Sequence, residues 1–321
     1  MCGQQQPRGQ RQPCPGGIRR LLVIAGGIMA AWSLAGAANA AQCNRACLAG
    51  IMQDYLSHMT THNPGGLPVA GGIVTRENAV AVPLGQGVWQ QVSRVRSSDI
   101  AADPVTGQVA AYAAVDATSG LGALFVRLKV VDRKISESEI IFNGKTNPFS
   151  QPANLLEPDI LYDAVVPPAR RVDRAKLIAI VNSYMDGIGR HNGSQVPFSY
   201  RCDRYASGAK VTNSPDHPAS REGGTCAGSF DHLTGGTVVN RRFPVIDVER
   251  GLAVAMFIIP HQDRNPPGST HVGEWFKIVD GKIRSIEEFS FGGGWPPDSG
   301  FRSDAGTDTP DTPHGAASSG S

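Results

Sequence analysis

The chain has 321 residues, with 30 Lys and Arg against 28 Asp and Glu, six cysteines, 38 glycines and 23 prolines. This length allows one large domain or two of ordinary size, and 40% apolar residues suffice for a packed core. A formal charge of +2 argues against a nucleic-acid binder, because phosphate contacts need clustered cations.

Arg19 and Arg20 precede an apolar run from Leu21 to Ala35, and Ala38-Asn39-Ala40 follows it. Basic end, apolar core and small-residue site predict a secretory signal over 1–40, cleaved after Ala40, and a secreted or periplasmic protein. The run is too short and too rich in Gly and Ala for a membrane span. Cleavage would leave 26 basic against 28 acidic residues and no block of like charge. Nucleic acid and membrane are therefore not expected as partners.

Four cysteines would remain: Cys43, Cys47, Cys202 and Cys226. An even number in an exported chain favours disulfides. Three pairings exist, and the local one, Cys43–Cys47 with Cys202–Cys226, is preferred. A four-thiolate zinc site is the rival, but these spacings do not match the usual knuckles. No metal or cofactor is expected.

An internal repeat organises the rest. Leu48–Pro68 aligns on Leu177–Pro197 at an offset of 129, Asp103–Tyr112 on Asp247–Met256 at 144, and Lys129–Ile135 on Lys277–Ile283 at 148. The growing offset predicts an insertion of 15–19 residues in the second copy between about 205 and 235. Each copy begins with a helix, its apolar face carrying Leu48, Ile51, Met52, Tyr55 and Met59, or Leu177, Ile178, Val181, Tyr184 and Ile188. A strand near Thr75–Pro83 and a helix opening at Gly87-Val88-Trp89 come next in the first copy, then strands near 108–116, 122–131 and 135–142. The last two join at Asp132-Arg133, and Asp280-Gly281 at the matching place is a strong hairpin signal. The organisation expected is a first module over 41–146, a Pro-rich linker over 147–171, a second module over 172–291 and a disordered tail over 292–321. The fold class is α+β.

Helix, Gly-x-Gly-x-Trp turn and closing hairpin resemble the SnoaL-like, nuclear transport factor 2-like cone. The span Cys43–Trp295 resembles an uncharacterised secreted family of fungi and bacteria. The match rests on CNRACLAGIMQDYL, Leu84-Gly85-Gln86-Gly87-Val88-Trp89, RRFPVIDVERGLAVAMF and EWFKIVDGKIRSIEEF. The chain departs from it at Thr75-Arg76-Glu77-Asn78-Ala79, where relatives show Thr-Glu-Asn-Gly. The resemblance implies two tandem cone-shaped modules, each with helices on a curved, mainly antiparallel sheet. The wider superfamily includes ketosteroid isomerase, scytalone dehydratase and polyketide cyclases, beside members without catalysis. It implies an apolar pocket in which a carboxyl of raised pKa moves protons on a hydrophobic molecule.

Glu274 leads the candidates. In Gly273-Glu274-Trp275-Phe276-Lys277-Ile278 the strand period puts Glu274 on the face of Phe276 and Ile278. A carboxyl there must be paired, hydrogen-bonded or protonated. The first copy has Val126 at this position. Either Glu274 is a general acid or base, or it pairs with Arg241 or Arg242. His62 and His191 occupy equivalent last-turn positions, which suits either a pocket mouth or a helix C-terminus. Asp54, His58 and His62 could present metal ligands along one helix face, though no matching set exists in the second copy. Asp231 and His232 follow the cysteine loop and supply further acid/base candidates. Tyr184, Phe276, Trp89, Tyr112 and His62 are candidate substrate-binding residues, or plain core. Glu139 and Glu287 align as a structural pair.

No Gly-x-Ser-x-Gly, P-loop or Gly-x-Gly-x-x-Gly motif occurs. The reading is an exported, cofactor-independent isomerase, dehydratase or other lyase acting on a hydrophobic small molecule, aromatic ones included. The alternative is a non-catalytic exported binding or dimerisation scaffold. A homodimer packed sheet to sheet is a further candidate partner, unless two copies in one chain meet that need internally.

Overall fold

The computed structural model describes residues 43–144, 150–157, 159–214 and 224–302, apart from the side chain of His232. The proposed signal over 1–40 lies outside them. The fold is α+β, with two similar halves that each carry one long helix and one six-stranded mixed sheet. No helix among the described residues is long and apolar enough to cross a membrane.

In the first half, helix α1 (Arg45–Thr60) starts where the Asn44 side chain accepts from the Cys47 N–H at 2.9 Å. Strands β1 (Val69–Glu77), β2 (Val80–Ala81), β3 (Val92–Asp103), β4 (Gln108–Ala117), β5 (Gly120–Val131) and β6 (Lys134–Asn143) follow. Their order is β2-β1-β6-β5-β4-β3, with β1 parallel to β6 and the other neighbours antiparallel. The second half repeats this. Helix α3 (Arg174–Arg190) is capped by Asp173, whose carboxylate accepts from the Lys176 N–H at 2.7 Å. Strands β7 (Phe198–Ala206), β8 (Ala209–Lys210), β9 (Val239–Asp247), β10 (Leu252–His261), β11 (Gly268–Val279) and β12 (Lys282–Gly293) are ordered β8-β7-β12-β11-β10-β9.

Where a helix is expected to open at Gly87, the chain makes one 3-10 turn, Gly87–Gln90, and then the twelve-residue strand β3. β3 lies at the sheet edge and exposes Ser93, Arg94 and Arg96, so its sequence lacks the clean alternation of a half-buried strand. Both Cys43–Cys47 and Cys202–Cys226 are disulfides. The hairpin turns Asp132-Arg133 and Asp280-Gly281 both take positive φ, at 50° and 61° and at 54° and 69°. Only the second has glycine where that geometry favours it. The departure at Asn78-Ala79 is another left-handed pair, with φ of 45° and 63°.

Strand alternation divides the core into three layers. One sheet face packs on α1 through residues such as Ala111, Ala113, Val126 and Tyr55. The matching face of the second sheet packs on α3 through Val272, Phe276, Ile278 and Tyr184. The remaining faces pack on each other through a third core that holds Tyr112, Phe125, Trp275 and Phe289. Trp275 meets Tyr112 edge-on at 4.9 Å, and each such ring buries on the order of 150–250 Å². Gly273 permits this approach, since a Cβ there would lie 2.9 Å from the Phe125 ring.

Two expected boundaries change. The described residues of the expected linker over 147–171 are part of the fold: they carry a 3-10 turn (Pro152–Leu155) and helix α2 (Ile160–Asp163), and they bury Leu155, Tyr162 and Val166. Lys277 ties this segment to the second half by donating to the carbonyl of Ala164 within it and to that of Arg250 between β9 and β10. Nor does structure stop at Gly292. β12 reaches Gly293, Ser299 is buried, and the Phe301 ring lies 4.5 Å and 5.4 Å from the guanidinium carbons of Arg127 and Arg242. Low apolar content does not preclude order here, because one ring over two cations anchors an otherwise polar segment. Residues 303–321 lie outside the described residues.

Candidate functional site

Tyr55 and Tyr184 occupy the same place on α1 and α3 but meet different chemistry. In the first half the Tyr55 hydroxyl lies 2.6 Å from Ser138 Oγ and accepts from Trp89 Nε1 at 3.0 Å. Val126 and Ile140 face each other across β5 and β6. In the second half Phe230 takes the place of Trp89, packed edge-on against Tyr184 at 5.2 Å. Phenylalanine has no N–H, so the Tyr184 hydroxyl turns to Glu274 and donates to its Oε1 at 2.9 Å. Glu274 lies directly across from Glu288 on β12, where the first half has Val126 and Ile140. The neighbouring strand supplies Arg204, whose counterpart in the first half is Thr75.

Arg204 is paired to Glu288 and stands 3.7 Å from Glu274 Oε1. Glu274 is 1% exposed. Burial, reinforced by Glu288, pushes its carboxyl up to about 8 against the opposing pull of Arg204 and the Tyr184 hydrogen bond. At neutral pH it is thus a neutral acid. Its Oε2 has no hydrogen-bond partner among the described residues.

These groups form the floor of a cavity of about 230 Å³ that continues past Phe257, Ile259 and Val272 to His261, Arg264, Thr234 and Thr270. His261 Nε2 lies 2.8 Å from Thr270 Oγ1, and its Nδ1 has no partner. Burial lowers the His261 pKa, with Arg264 adding to the effect. Drug-sized ligands occupy pockets of roughly 300–1,000 Å³, so this cavity has room only for something more compact.

Of the residues singled out from sequence, Glu274 and Tyr184 meet at this cavity. Phe276 packs edge-on beneath Tyr184 at 5.0 Å. His191 is exposed and terminates α3 in the left-handed conformation, with Nε2 2.8 Å from the Gly235 carbonyl. It braces the segment that brings Leu233 and Thr234 to the cavity. His62 does the equivalent in the first half, its Nε2 2.9 Å from the Val92 carbonyl. Asp231 is exposed on the 3-10 turn Gly228–His232, and the side chain of His232 lies outside the described residues. Trp89 belongs to the first-half cluster, and Tyr112 lies between the sheets beside a separate cavity of about 200 Å³ that Glu287 also lines.

The proposed cation partners of Glu274 are engaged elsewhere. Arg241 pairs with Asp186 and Arg242 with Glu139. Nor do Glu139 and Glu287 share a role. Burial would raise the Glu139 carboxyl, but Arg242 and Arg127 together hold it below the ordinary value. Trp275 replaces Arg127 in the second half, and Glu287, bonded by the Gly208 N–H at 2.9 Å, is pushed up to about 8 by burial. The row Asp54, His58, His62 is not a metal site: His58 Nδ1 lies 2.8 Å from the Asn63 carbonyl, and no metal-holding group of three such residues occurs among the described residues.

Arg204, Glu288, His261 and Arg264 were not singled out. Ile286-Glu287-Glu288-Phe289 did carry a signal, because two adjacent carboxylates on a buried strand must point to opposite faces. Nothing in the sequence pointed to His261, which ends an apolar run.

Residues 170–290, the second half, match the family model described as Domain of unknown function (DUF8021). A comparison with curated proteins finds no match.

Proposed function

We propose that the second half is the active half of an exported enzyme of cone-shaped, SnoaL-like type, which performs acid/base chemistry without a cofactor on a compact hydrophobic molecule. The single observation that carries this is Glu274: a buried cavity-lining carboxyl, held neutral, with one oxygen unpartnered. Tyr184 fixes the carboxyl through Oε1, which leaves Oε2 as the oxygen without a partner and the one assigned here to give up its proton. In a dehydration, Oε2–H gives its proton to a substrate hydroxyl, the C–O bond breaks and water departs. The resulting carboxylate, steadied by Arg204, takes the proton from the adjacent carbon as the double bond forms, which restores the neutral acid. An isomerisation would run in the other order, with the ionised carboxylate taking a proton from one carbon and returning it to another, so its turnover would rise through about pH 8. Such proton transfer contributes typically 10²–10⁴-fold.

The first half serves as a scaffold in this reading. Its equivalent floor is apolar, with Val126 and Ile140, and is closed by the bond between Trp89 and Tyr55. A non-catalytic exported scaffold is the second reading. The observation that favours it is the sheet-to-sheet core, which meets within one chain the need that otherwise draws two copies together.

The test uses hydrophobic β-hydroxycarbonyl compounds and their unsaturated products, followed by ultraviolet absorbance. Turnover is expected to fall above about pH 8, as Glu274 ionises, and to be lost in Glu274→Gln with the circular dichroism unchanged. Undiminished turnover in Glu274→Gln would remove the proposal. Absence of turnover across the panel would favour the scaffold.

A further inference from the structure

The cavity is elongated and polar at both ends. Thr270 and Glu274 lie on one face of β11, four residues apart, which is about 13 Å along a strand. Between them the walls are Phe257, Ile259 and Val272. Two residues that each hold a buried polar atom without a partner line the two ends, Glu274 at the floor and His261 at the mouth.

The charges differ between the ends as well. At the floor, Arg204 is matched by Glu288. At the mouth, Arg264 donates to Thr234 Oγ1 at 3.2 Å and makes no ion pair among the described residues. His261, the other basic group there, is disfavoured as a cation by burial. The walls therefore carry one positive charge without a counter-charge, and it sits where a ligand enters.

This mouth belongs to the second half alone. β4 and β5 are joined by residues 118–119, whereas β10 and β11 are joined by residues 262–267. Four of the residues expected to fall between 205 and 235 thus lie in this turn, and they bring Arg264 to the cavity. His261 stands where the first half has Ala117, and Thr270 where it has Gly122. Charged floor and basic mouth occur together in one half and are both missing from the other.

We infer that the cavity takes a compact amphipathic acid: a carboxylate at Arg264, an apolar body against Phe257, Ile259 and Val272, and a hydroxyl or carbonyl oxygen at Glu274. The inference rests on reading this cavity as the ligand site and adds the chemical class of the ligand. A carboxylate on Arg264 gains a charge-assisted bond, and its neutral amide does not.

The experiment titrates the full chain with 3-(4-hydroxyphenyl)propanoate and with its neutral amide, by calorimetry at pH 7. The acid is expected to bind at least about tenfold more tightly than the amide. Arg264→Gln, at an exposed position, should bring the acid to the level of the amide and leave the amide within about twofold. Rising salt should erode the preference of the wild type, as for a charge at a solvent-facing mouth. Ile259→Trp should block both probes by filling the cavity. If acid and amide bind equally, or Arg264→Gln keeps the preference, the acid inference falls, while loss of both probes in Ile259→Trp keeps the cavity as the ligand site. If neither probe binds, or Ile259→Trp leaves both unaffected, the inference and the site fall together.

Discussion

Replacing Glu274 by glutamine should change how stability depends on pH more than it changes stability at mildly acidic pH. Glutamine imitates the neutral acid and still offers an oxygen to the Tyr184 hydroxyl. In the folded protein Glu274 keeps its proton until about pH 8, against an ordinary value of 4.5. The unfolded chain loses that proton near 4.5, so between these values the folded state binds more protons. Stability therefore falls as pH rises through this window. One pH unit is worth about 1.4 kcal/mol, which sets a ceiling of about 5 kcal/mol for the whole window. Urea denaturation at pH 5.5, 6.5 and 7.5 should find Glu274→Gln gaining on the wild type by about 3 kcal/mol across that span. Glu287, also pushed up to about 8, is present in both proteins, and because burial is its main cause and Glu274 a lesser one, most of its contribution cancels in the difference. A gap constant within about 0.5 kcal/mol would mean that Glu274 is ionised throughout and that Arg204 outweighs burial.

Three further outcomes are expected. Arg133→Gly should stabilise by about 1 kcal/mol in thermal or chemical denaturation, since Arg133 holds φ of 61° in a turn where glycine carries no steric penalty. Glu139→Ala should destabilise by about 3–5 kcal/mol, because two buried guanidiniums, Arg127 at 2.9 Å and Arg242 at 2.6 Å, lose the carboxylate they share. Replacing Cys202 and Cys226 together by alanine should lower the urea midpoint by the equivalent of about 3 kcal/mol, from loop-closure entropy; an unchanged midpoint would show that the 202–226 segment is constrained without the bond.

The features readable in the sequence were those set by local period or by repetition. Glu274 stood out because alternation placed a carboxyl among Phe276 and Ile278, and its absence at Val126 marked the second copy as different. The halves were found because Leu48–Pro68 and Leu177–Pro197 align without a gap. Features that depend on partners distant in sequence were not readable. Arg204 reaches Glu274 across seventy residues, and the trade of Trp89 for Phe230, which releases the Tyr184 hydroxyl, shows only when the two tyrosines are superposed. β3 was missed because an edge strand facing water needs no apolar alternation. The order of the segment just after Gly292 is not legible in composition, which says nothing of one aromatic ring seated over two arginines.

The sheet-to-sheet core bears on what can fold by itself. Trp275, Phe289 and Met256 from one half are covered by Tyr112, Phe125 and Ile141 from the other, with Tyr162 of the intervening segment between them. The matched stretch 170–290 thus follows a line of sequence similarity and not the edge of an autonomous folding unit. Cut out alone, it would present that aromatic face to water and either aggregate or pair with itself. In the intact chain the contacts that close this face join residues more than one hundred positions apart, so both halves should melt in one cooperative transition. Ordering of the layer between them should be a late and slow event in folding, and either half would wait on the other to become native.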